Sequence, residues 1–401
     1  MMRPGAGPFA IALLWHERQG LGVRCHQLLV LFFGFAAACA EPIAPDPTVA
    51  VAGEFTVAIT SWRSTGGSRS RDLPITAWYP TAAPASGPQP FNQLEIEPQR
   101  SVWQGLLAAS PACAQRTYTA APDAAPIAAP TVAGLPIVLV SHCYNCNRFN
   151  LVTVAERLAS HGLVVVAVEQ PGDTMWDHIA GRDVPINKAL LEQRAGDMRQ
   201  ALDGLLDGGE APAALAAIVD RSKIGIVGHS LGAVTAGRVA ELDDRIVSAA
   251  ALMAPMENPF VEGVTLANID KPLLFVVAQE DNSISELGNE LMRKNYAAAV
   301  GPSWKLEVAD AGHWSISDLN GTVDKPLPGA TSPFAAGCGT GIRQTDDAPF
   351  TYLDPSRGRA IAASYLTAFF LGTLQSNGGA IAYLQDQNDW AEVTPVHRSG
   401  R

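Results

Sequence analysis

Lys223-Ile224-Gly225-Ile226-Val227-Gly228-His229-Ser230-Leu231-Gly232 is an apolar run that ends in G-x-S-x-G and leads into a helical pattern. The pentapeptide alone is a weak signal, but a strand before it and a helix after it make it a strong one. In that setting the turn forces the serine into a strained backbone conformation that neighbouring glycines accommodate. The Ser230 hydroxyl is then lifted clear of the sheet edge at a helix N-terminus. The chemistry this predicts is nucleophilic catalysis, which needs a base for the serine proton, a carboxylate to orient the base, and an oxyanion hole.

One of eight histidines must supply the base. His16 and His26 lie in the leader, His397 in a polar tail, and His229 inside the turn itself. His142 ends the strand Ile137 to Val140, His161 closes a helix before Gly162, and His178 falls in a connecting segment ahead of the serine. His313 comes after the serine, in the loop following the strand Lys305 to Val308. That matches the chain order serine, acid, histidine of the α/β-hydrolase arrangement. The acid is sought at a strand end between the two. Leu273 to Val277 reads as a buried strand, followed by Ala278-Gln279-Glu280-Asp281. Asp281 is the expected acid and Glu280 the alternate. Asp243 and Asp244 read as solvated charges, and Asp310 is too close to His313 along the chain. Two backbone N–H groups must form the oxyanion hole, one from Leu231 and one from the loop after Ser141-His142.

Short apolar runs at 137–140, 163–168, 223–227, 248–253, 273–277 and 305–308 alternate with helical stretches near 150–161, 190–206, 231–241, 286–299 and 355–375. This alternation predicts an α/β fold with a mostly parallel central sheet, helices on both faces and loop or cap insertions. Residues 55–60 and 75–79 are expected as antiparallel opening strands. The expected domain spans 55–385, followed by a polar tail over 386–401. Residues 93–134 and 320–350 are expected to rim the site, and 173–191 to form a cap whose charges leave no broad apolar face. Arg194 and Asp197 read as a structural ion pair on one helix.

Arg71-Asp72-Leu73-Pro74-Ile75-Thr76-Ala77-Trp78-Tyr79-Pro80, Ile137 to His142, Ala159-Ser160-His161-Gly162-Leu163-Val164-Val165, the serine turn and Ala311-Gly312-His313 carry a family likeness. The chain resembles the bacterial predicted dienelactone hydrolases of the platelet-activating-factor acetylhydrolase isoform II type, and its spacing is similar to that of the cutinase-like polyester hydrolases. The resemblance runs from about Phe55 to Leu384 and implies a serine esterase with the α/β-hydrolase fold. It also implies Tyr144 as the second oxyanion donor, with Cys143 as alternate. Two departures stand out: Cys143-Tyr144-Asn145-Cys146 replaces the usual glycine after the strand-end Ser-His, and the strand Ala249 to Met253, after which members close to the animal acetylhydrolases take their acid, is followed by no carboxylate until Glu257, which supports Asp281. Dienelactone hydrolases proper use a cysteine nucleophile where this chain has Ser230.

Residues 1–38 read as a signal peptide, with an apolar core at 28–38 too short to span a bilayer and preceded by Arg18 and Arg24. Ala36-Ala37-Ala38-Cys39 resembles a bacterial lipobox, which implies a lipid anchor at Cys39, residues 39–54 as a tether, and an outer-membrane, periplasmic or secreted protein. The leader carries three Arg and one Glu, so its removal takes the net charge from −11 to −13. Such a surface repels phosphate backbones, which argues against nucleic acid as a partner. No metal-spaced cluster is visible, and neither metal nor cofactor is expected. Beyond the leader and Cys39, Cys113, Cys143, Cys146 and Cys338 allow three pairings; 143 with 146 and 113 with 338 is preferred for an exported chain.

The sequence therefore reads as an exported carboxylic ester hydrolase acting through an acyl-enzyme on Ser230, on short or medium acyl esters. Polyester or phospholipid acetyl-ester hydrolysis is the alternative within that class. The alternative of another class is a non-catalytic envelope lipoprotein on a hydrolase fold.

Overall fold

The computed structural model describes residues 43–66, 71–128, 134–207, 209–322, 338–386, 389–398 and 400. Strict alternation builds the two faces of its sheet. In β1 (Thr56–Ser64), β2 (Leu73–Thr81), β3 (Leu135–Ser141) and β4 (Val164–Val168) successive side chains point to opposite sides. Val138, Val140, Val165 and Ala167 enter one core cluster and Ile137, Leu139, Val164 and Val166 the other, all buried. A strand covered on both faces is apolar throughout, so β3 and β4 appear in the sequence as unbroken apolar runs.

The sheet continues through β5 (Val219–His229), β6 (Ile246–Leu252), β7 (Leu273–Ala278), β8 (Ser303–Val308) and β9 (Val393–Arg398). Its order is β9-β8-β7-β6-β5-β3-β4-β2-β1, with the two-residue strand Ala121–Pro122 outermost beside β1. Strands β4, β3, β5, β6, β7 and β8 pair in parallel; β2 pairs antiparallel with both β4 and β1, and β9 antiparallel with β8.

Eight helices matter for the site: α1 (Gln99–Ala109), α2 (Val152–Ser160), α3 (Met175–Ile179), α4 (Lys188–Leu206), α5 (Leu231–Leu242), α6 (Ser285–Ala298), α7 (Pro355–Gln375) and α8 (Gly378–Asp386). Residues of α2 and α7 pack on one face of the sheet, those of α4 and α5 on the other. The expected α/β architecture is the one found.

Four expectations change. The segment read as a polar tail contains β9, which pairs Val393 with Val308 through to Arg398 with Ser303. Its short, Pro395-interrupted pattern hides an edge strand, a position at which a sheet tolerates proline. Within the segment read as a tether, residues 43–54 are packed: Val49 is fully buried, the Asp46 N–H donates to Gly379 O (3.0 Å) and the Gly53 N–H to Ser160 Oγ (2.9 Å). Residues 1–42, including the leader and Cys39, lie outside the described residues. Asp243 is buried rather than solvated and accepts from Arg245 (Nε, 2.9 Å) and Arg199 (Nε, 3.3 Å), whereas Asp244 is exposed. Arg194 and Asp197 both make structural ion pairs, but with other partners, as described below.

The insertion over 93–134 is anchored from within rather than merely laid over the surface. Trp103 of α1 is fully buried, stacks on Phe149 (centroids 5.8 Å) and meets Trp176 edge-on (6.2 Å). Beside it, Arg148 donates to Glu95 (3.1 and 3.0 Å) and Glu169 (3.0 Å), joining the insertion to the end of β4. All three are buried.

One cation between two carboxylates leaves one negative charge uncompensated. Burial pushes Glu169 up to about 7 against the pull of Arg148, and Glu95 adds to the rise. A carboxyl harder to ionise folded than unfolded contributes stability that is complete below its ordinary range near 4.5 and is lost as pH rises through 7. The melting temperature of Glu169→Gln is therefore expected to fall less between pH 5 and pH 8 than that of the natural chain. Parallel melting profiles would contradict this.

Candidate active site

Ser230 sits between the end of β5 and the first turn of α5 with φ 56° and ψ −124°. A non-glycine residue at positive φ is strained, and here the surroundings hold it. Its N–H donates to Leu252 O at the end of β6 (2.9 Å). A Cβ at Gly228 would stand 1.8 Å from Gly232 O, and one at Gly232 would stand 2.1 Å from Ser141 O. Both glycines are thus required by close backbone approach, and the second presses the serine turn against the end of β3. The Ser230 side chain remains partly exposed.

His313, in the loop after β8, and Asp281, in the loop after β7, come together 32 residues apart in sequence. His313 Nδ1 lies 2.7 Å from Asp281 Oδ2, with both residues almost fully buried. A carboxylate only accepts, so Nδ1 carries the proton and Nε2 is left as the acceptor nitrogen. The other oxygen, Asp281 Oδ1, accepts from the N–H groups of Ser283 (2.9 Å) and Ile284 (3.0 Å), fixing the carboxylate from behind. Glu280, the alternate, points elsewhere and accepts from Arg343 and from the Gln344 N–H, each at 3.0 Å. Asp310 also pairs with Arg343 (2.5 Å).

His229 has a supporting part that the sequence did not disclose. Its Nε2 faces His313 O at 2.9 Å, so Nε2 is the donor, and its Nδ1 accepts from Asn150 Nδ2 (3.4 Å). Burial holds its basicity well below the usual range, and the neighbouring His313 lowers it further. A neutral imidazole thus carries the His313 main chain, while its ring packs 5.0 Å from that of His313.

The loop after β3 is fastened at several points. His142 Nδ1 donates to Cys143 O (2.7 Å), and its Nε2 accepts the Gln170 N–H (3.1 Å). Arg194, fully buried on α4, donates to His142 O, to Ser141 Oγ (3.2 Å), to Thr235 Oγ1 (2.9 Å) and to Asp173. Asp197, one turn along α4, instead pairs with Arg71 Nε (2.7 Å). Each member of the expected pair therefore ties α4 to a different loop. Burial raises Asp173 despite Arg194, and carries Asp197 up to about 6 despite Arg71.

Cys143 and Cys146 form a disulfide with Cα atoms 5.2 Å apart, and Cys113 pairs with Cys338 at 6.4 Å, the preferred connectivity. Inside the small ring Asn145 has φ 57°, and its N–H donates to Asp173 O (2.8 Å). The Tyr144 hydroxyl donates to Val184 O (2.8 Å) in the cap. Burial, followed by the charges of Asp183 and Asp173, pushes that phenol up to about 12. The Leu231 and Tyr144 N–H groups, and that of Cys143, have no hydrogen-bond partner among the described residues. Unengaged donors at a helix start and in the loop beside it suit a developing negative oxygen.

Ser230, Leu231, Asp281, His313 and Tyr144 are thus on or beside the C-terminal ends of the central strands, where the sequence analysis expected them. Arg343, Gln344 and Asn150 were missed, because nothing local marks a residue whose partners lie tens of positions away.

Comparison with known proteins agrees with this architecture. A family described as PETase, PET hydrolase-like, matches residues 123–325. Platelet-activating factor acetylhydrolase of Cavia porcellus is 28% identical over 183 aligned residues, covering 38% of this chain and 42% of that protein. The chain thus matches less than half of that relative's length. A ferulic acid esterase from Streptomyces cinnamoneus superposes with a TM-score of 0.63 at 23% identity, covering 85% of this chain and 96% of the other. At that identity the likeness concerns the fold.

Proposed function

The chain belongs to the PETase, PET hydrolase-like, family, and on that premise we propose that it is a carboxylic ester hydrolase that cleaves its esters through an acyl-enzyme on Ser230. The observation that carries this reading is the buried 2.7 Å contact between His313 Nδ1 and Asp281 Oδ2, with the His313 ring 5.0 Å from that of His229, the residue before a serine held at φ 56°. His313 Nε2 takes the hydroxyl proton as Ser230 Oγ attacks the ester carbonyl. Asp281 keeps the tautomer and steadies the imidazolium. The N–H groups of Leu231 and Tyr144 receive the negative oxygen of the tetrahedral intermediate. The alcohol departs with the proton from His313, and a water activated by the same imidazole releases the acid and restores the serine.

Short or medium acyl esters fit the cap, where Val184 and Ile186 are the exposed large aliphatics in a largely polar segment. The family likeness supports polyesters as a further substrate, and the guinea-pig relative's name supports lipid acetyl esters.

Ser230→Ala and His313→Ala are each expected to lower turnover by several orders of magnitude with the fold intact. Asp281→Asn is expected to lower it on the order of 10² to 10⁴, since a misoriented imidazole keeps some basicity. Full activity of Asp281→Asn with a dead Glu280→Gln would reassign the acid. A fluorophosphonate probe should label Ser230; no labelling would favour a binding or structural role on the same fold.

The two disulfides support export, since such bonds persist in oxidising compartments. They act on different quantities. In the chain-entropy view, closing the 225-residue separation of Cys113 and Cys338 stabilises by about 5 kcal/mol, whereas the small Cys143–Cys146 ring contributes about 2 kcal/mol. The small ring therefore bears more on geometry, because a displacement of about 1 Å near reacting atoms costs on the order of 10²-fold in rate. The Cys143→Ser, Cys146→Ser double variant is expected to lose turnover while its melting temperature moves little. Unchanged turnover would remove the ring from the oxyanion loop's function.

Export with a lipid on Cys39 is the finer form of this reading, and it rests on the Ala36–Cys39 sequence. It predicts incorporation of labelled fatty acid that Cys39→Ser abolishes. A soluble protein beginning at Cys39 or Glu41 would point to simple secretion.

A further inference from the structure

Residues 338–352 make no strand of the main sheet, yet they meet both loops that carry the proposed acid and base. Thr340–Ile342 and Pro349–Thr351 form a small antiparallel hairpin, whose turn contains Arg343 and Gln344. Arg343 Nη1 donates to Glu280 Oε1 (3.0 Å) in the loop after β7, and its Nη2 donates to Asp310 Oδ1 (2.5 Å) in the loop after β8. Gln344 reinforces the first contact, with its N–H on Glu280 Oε2 (3.0 Å) and its Nε2 on Asp281 O (2.7 Å). Glu280 adjoins Asp281, and Asp310 lies three residues before His313. Backbone hydrogen bonds join the bases of these loops, from Gln279 N–H to Val308 O (3.1 Å) and from Glu280 N–H to Ala311 O (2.9 Å).

We propose that Arg343 is a positioning residue for ester cleavage, a single guanidinium that draws the Asp281 and His313 loops together and sets the distance between their side chains. Two carboxylates face one cation across the gap. Glu280 is 4% exposed, so removing the cation leaves a buried negative charge opposite a second one. Like charges then push the loops apart along the direction in which Asp281 must reach His313. The planar fork suits the task, since its separate nitrogens hold two acceptors at fixed spacing, which an ammonium does not.

This inference rests on the proposed Ser230, His313 and Asp281 chemistry, and its test separates the two. In steady-state ester hydrolysis, Arg343→Met is expected to lower kcat about 10- to 100-fold with KM within about twofold of the natural chain. Arg343→Lys, which keeps the charge without the fork, should retain more of kcat than Arg343→Met. The triple variant Arg343→Met, Glu280→Gln, Asp310→Asn removes the repulsion along with the cation and should recover at least about threefold of the kcat lost by Arg343→Met. A residue that only anchors the hairpin would show no such recovery. If Arg343→Met does not fold, Arg343→Lys and the triple variant carry the comparison against the natural chain. Natural kcat in Arg343→Met or Arg343→Lys, a loss confined to KM, or a triple variant no better than the single would overturn the clamp. Ser230→Ala is run in the same assay: activity retained there overturns the acyl-enzyme reading instead, while a dead Ser230→Ala beside a fully active Arg343→Met overturns the clamp alone.

Discussion

The backbone at Ser230 cannot hold φ 56° unless the chain before and after it passes closer than side chains allow. Gly228 and Gly232 meet that condition, and the rest of the site follows from it. Because Gly232 lies against Ser141 O, the serine turn and the end of β3 are placed by the same contact. The loop after β3 therefore starts where Ser141 stops. The strain at the serine is held by packing on both sides, in a parallel sheet buried on both faces, where adjacent strands cannot slide without turning apolar side chains to the wrong core.

Around that rigid centre the loops are held by buried charge as well as by apolar packing such as the Trp103–Phe149 stack. Arg194 reaches from α4 to Asp173, Ser141 and His142; Arg71 meets Asp197 on the same helix; Arg148 joins Glu95 to Glu169. Buried ion pairs are poor sources of net stability, since desolvation offsets most of their attraction. What they supply is geometry, because a guanidinium accepts few arrangements of its partners. Burial raises Asp173, Asp197 and Glu169 even though each has a cation beside it, so the cost of desolvation exceeds the attraction at all three. Two of them hold the loop after β3 directly, Asp173 accepting the Asn145 N–H through its carbonyl and Glu169 the Arg148 N–H through its carboxylate.

Legibility in the sequence follows the range of the interaction. Periodicity is local, so β3, β4, β5, β7 and helices such as α4 and α7 could be read to within a few residues. Ser230 could be singled out as a candidate because its glycines are adjacent, and Asp281 and His313 because each follows a strand end in the chain order sought. Edge strand β9 was hidden by Pro395 and His397, since an edge needs only one apolar face and a partner supplied by β8. The packing of residues 43–54 was hidden for a similar reason: one fully buried valine, Val49, anchors a stretch otherwise rich in proline and alanine. The ion pairs were least legible. Arg194 and Asp197 have the spacing of partners on one helix face, but each finds a carboxylate or guanidinium from a distant loop, and nothing in the spacing distinguishes the two outcomes.

The insertions show how distant segments come to bear on one site. Cys113 lies in the insertion after α1, and Cys338 directly precedes the hairpin that contacts the loops after β7 and β8. The bond between them thus joins α1, anchored by Trp103 and by Glu95 through Arg148, to the turn that presents Arg343. A chain of contacts runs from the buried Arg148 cluster at the end of β4 through α1 and the long disulfide to Glu280 and Asp310. Along it the links alternate between an aromatic stack or covalent bond, which fixes position at little electrostatic cost, and a guanidinium, which fixes direction. The loops after β7 and β8 are consequently held from outside the sheet as well as from within it. The loop after β3 is likewise held from several sides at once, by its own small ring, by Arg194 at His142, by Asp173 at Asn145 and by Val184 at the Tyr144 hydroxyl.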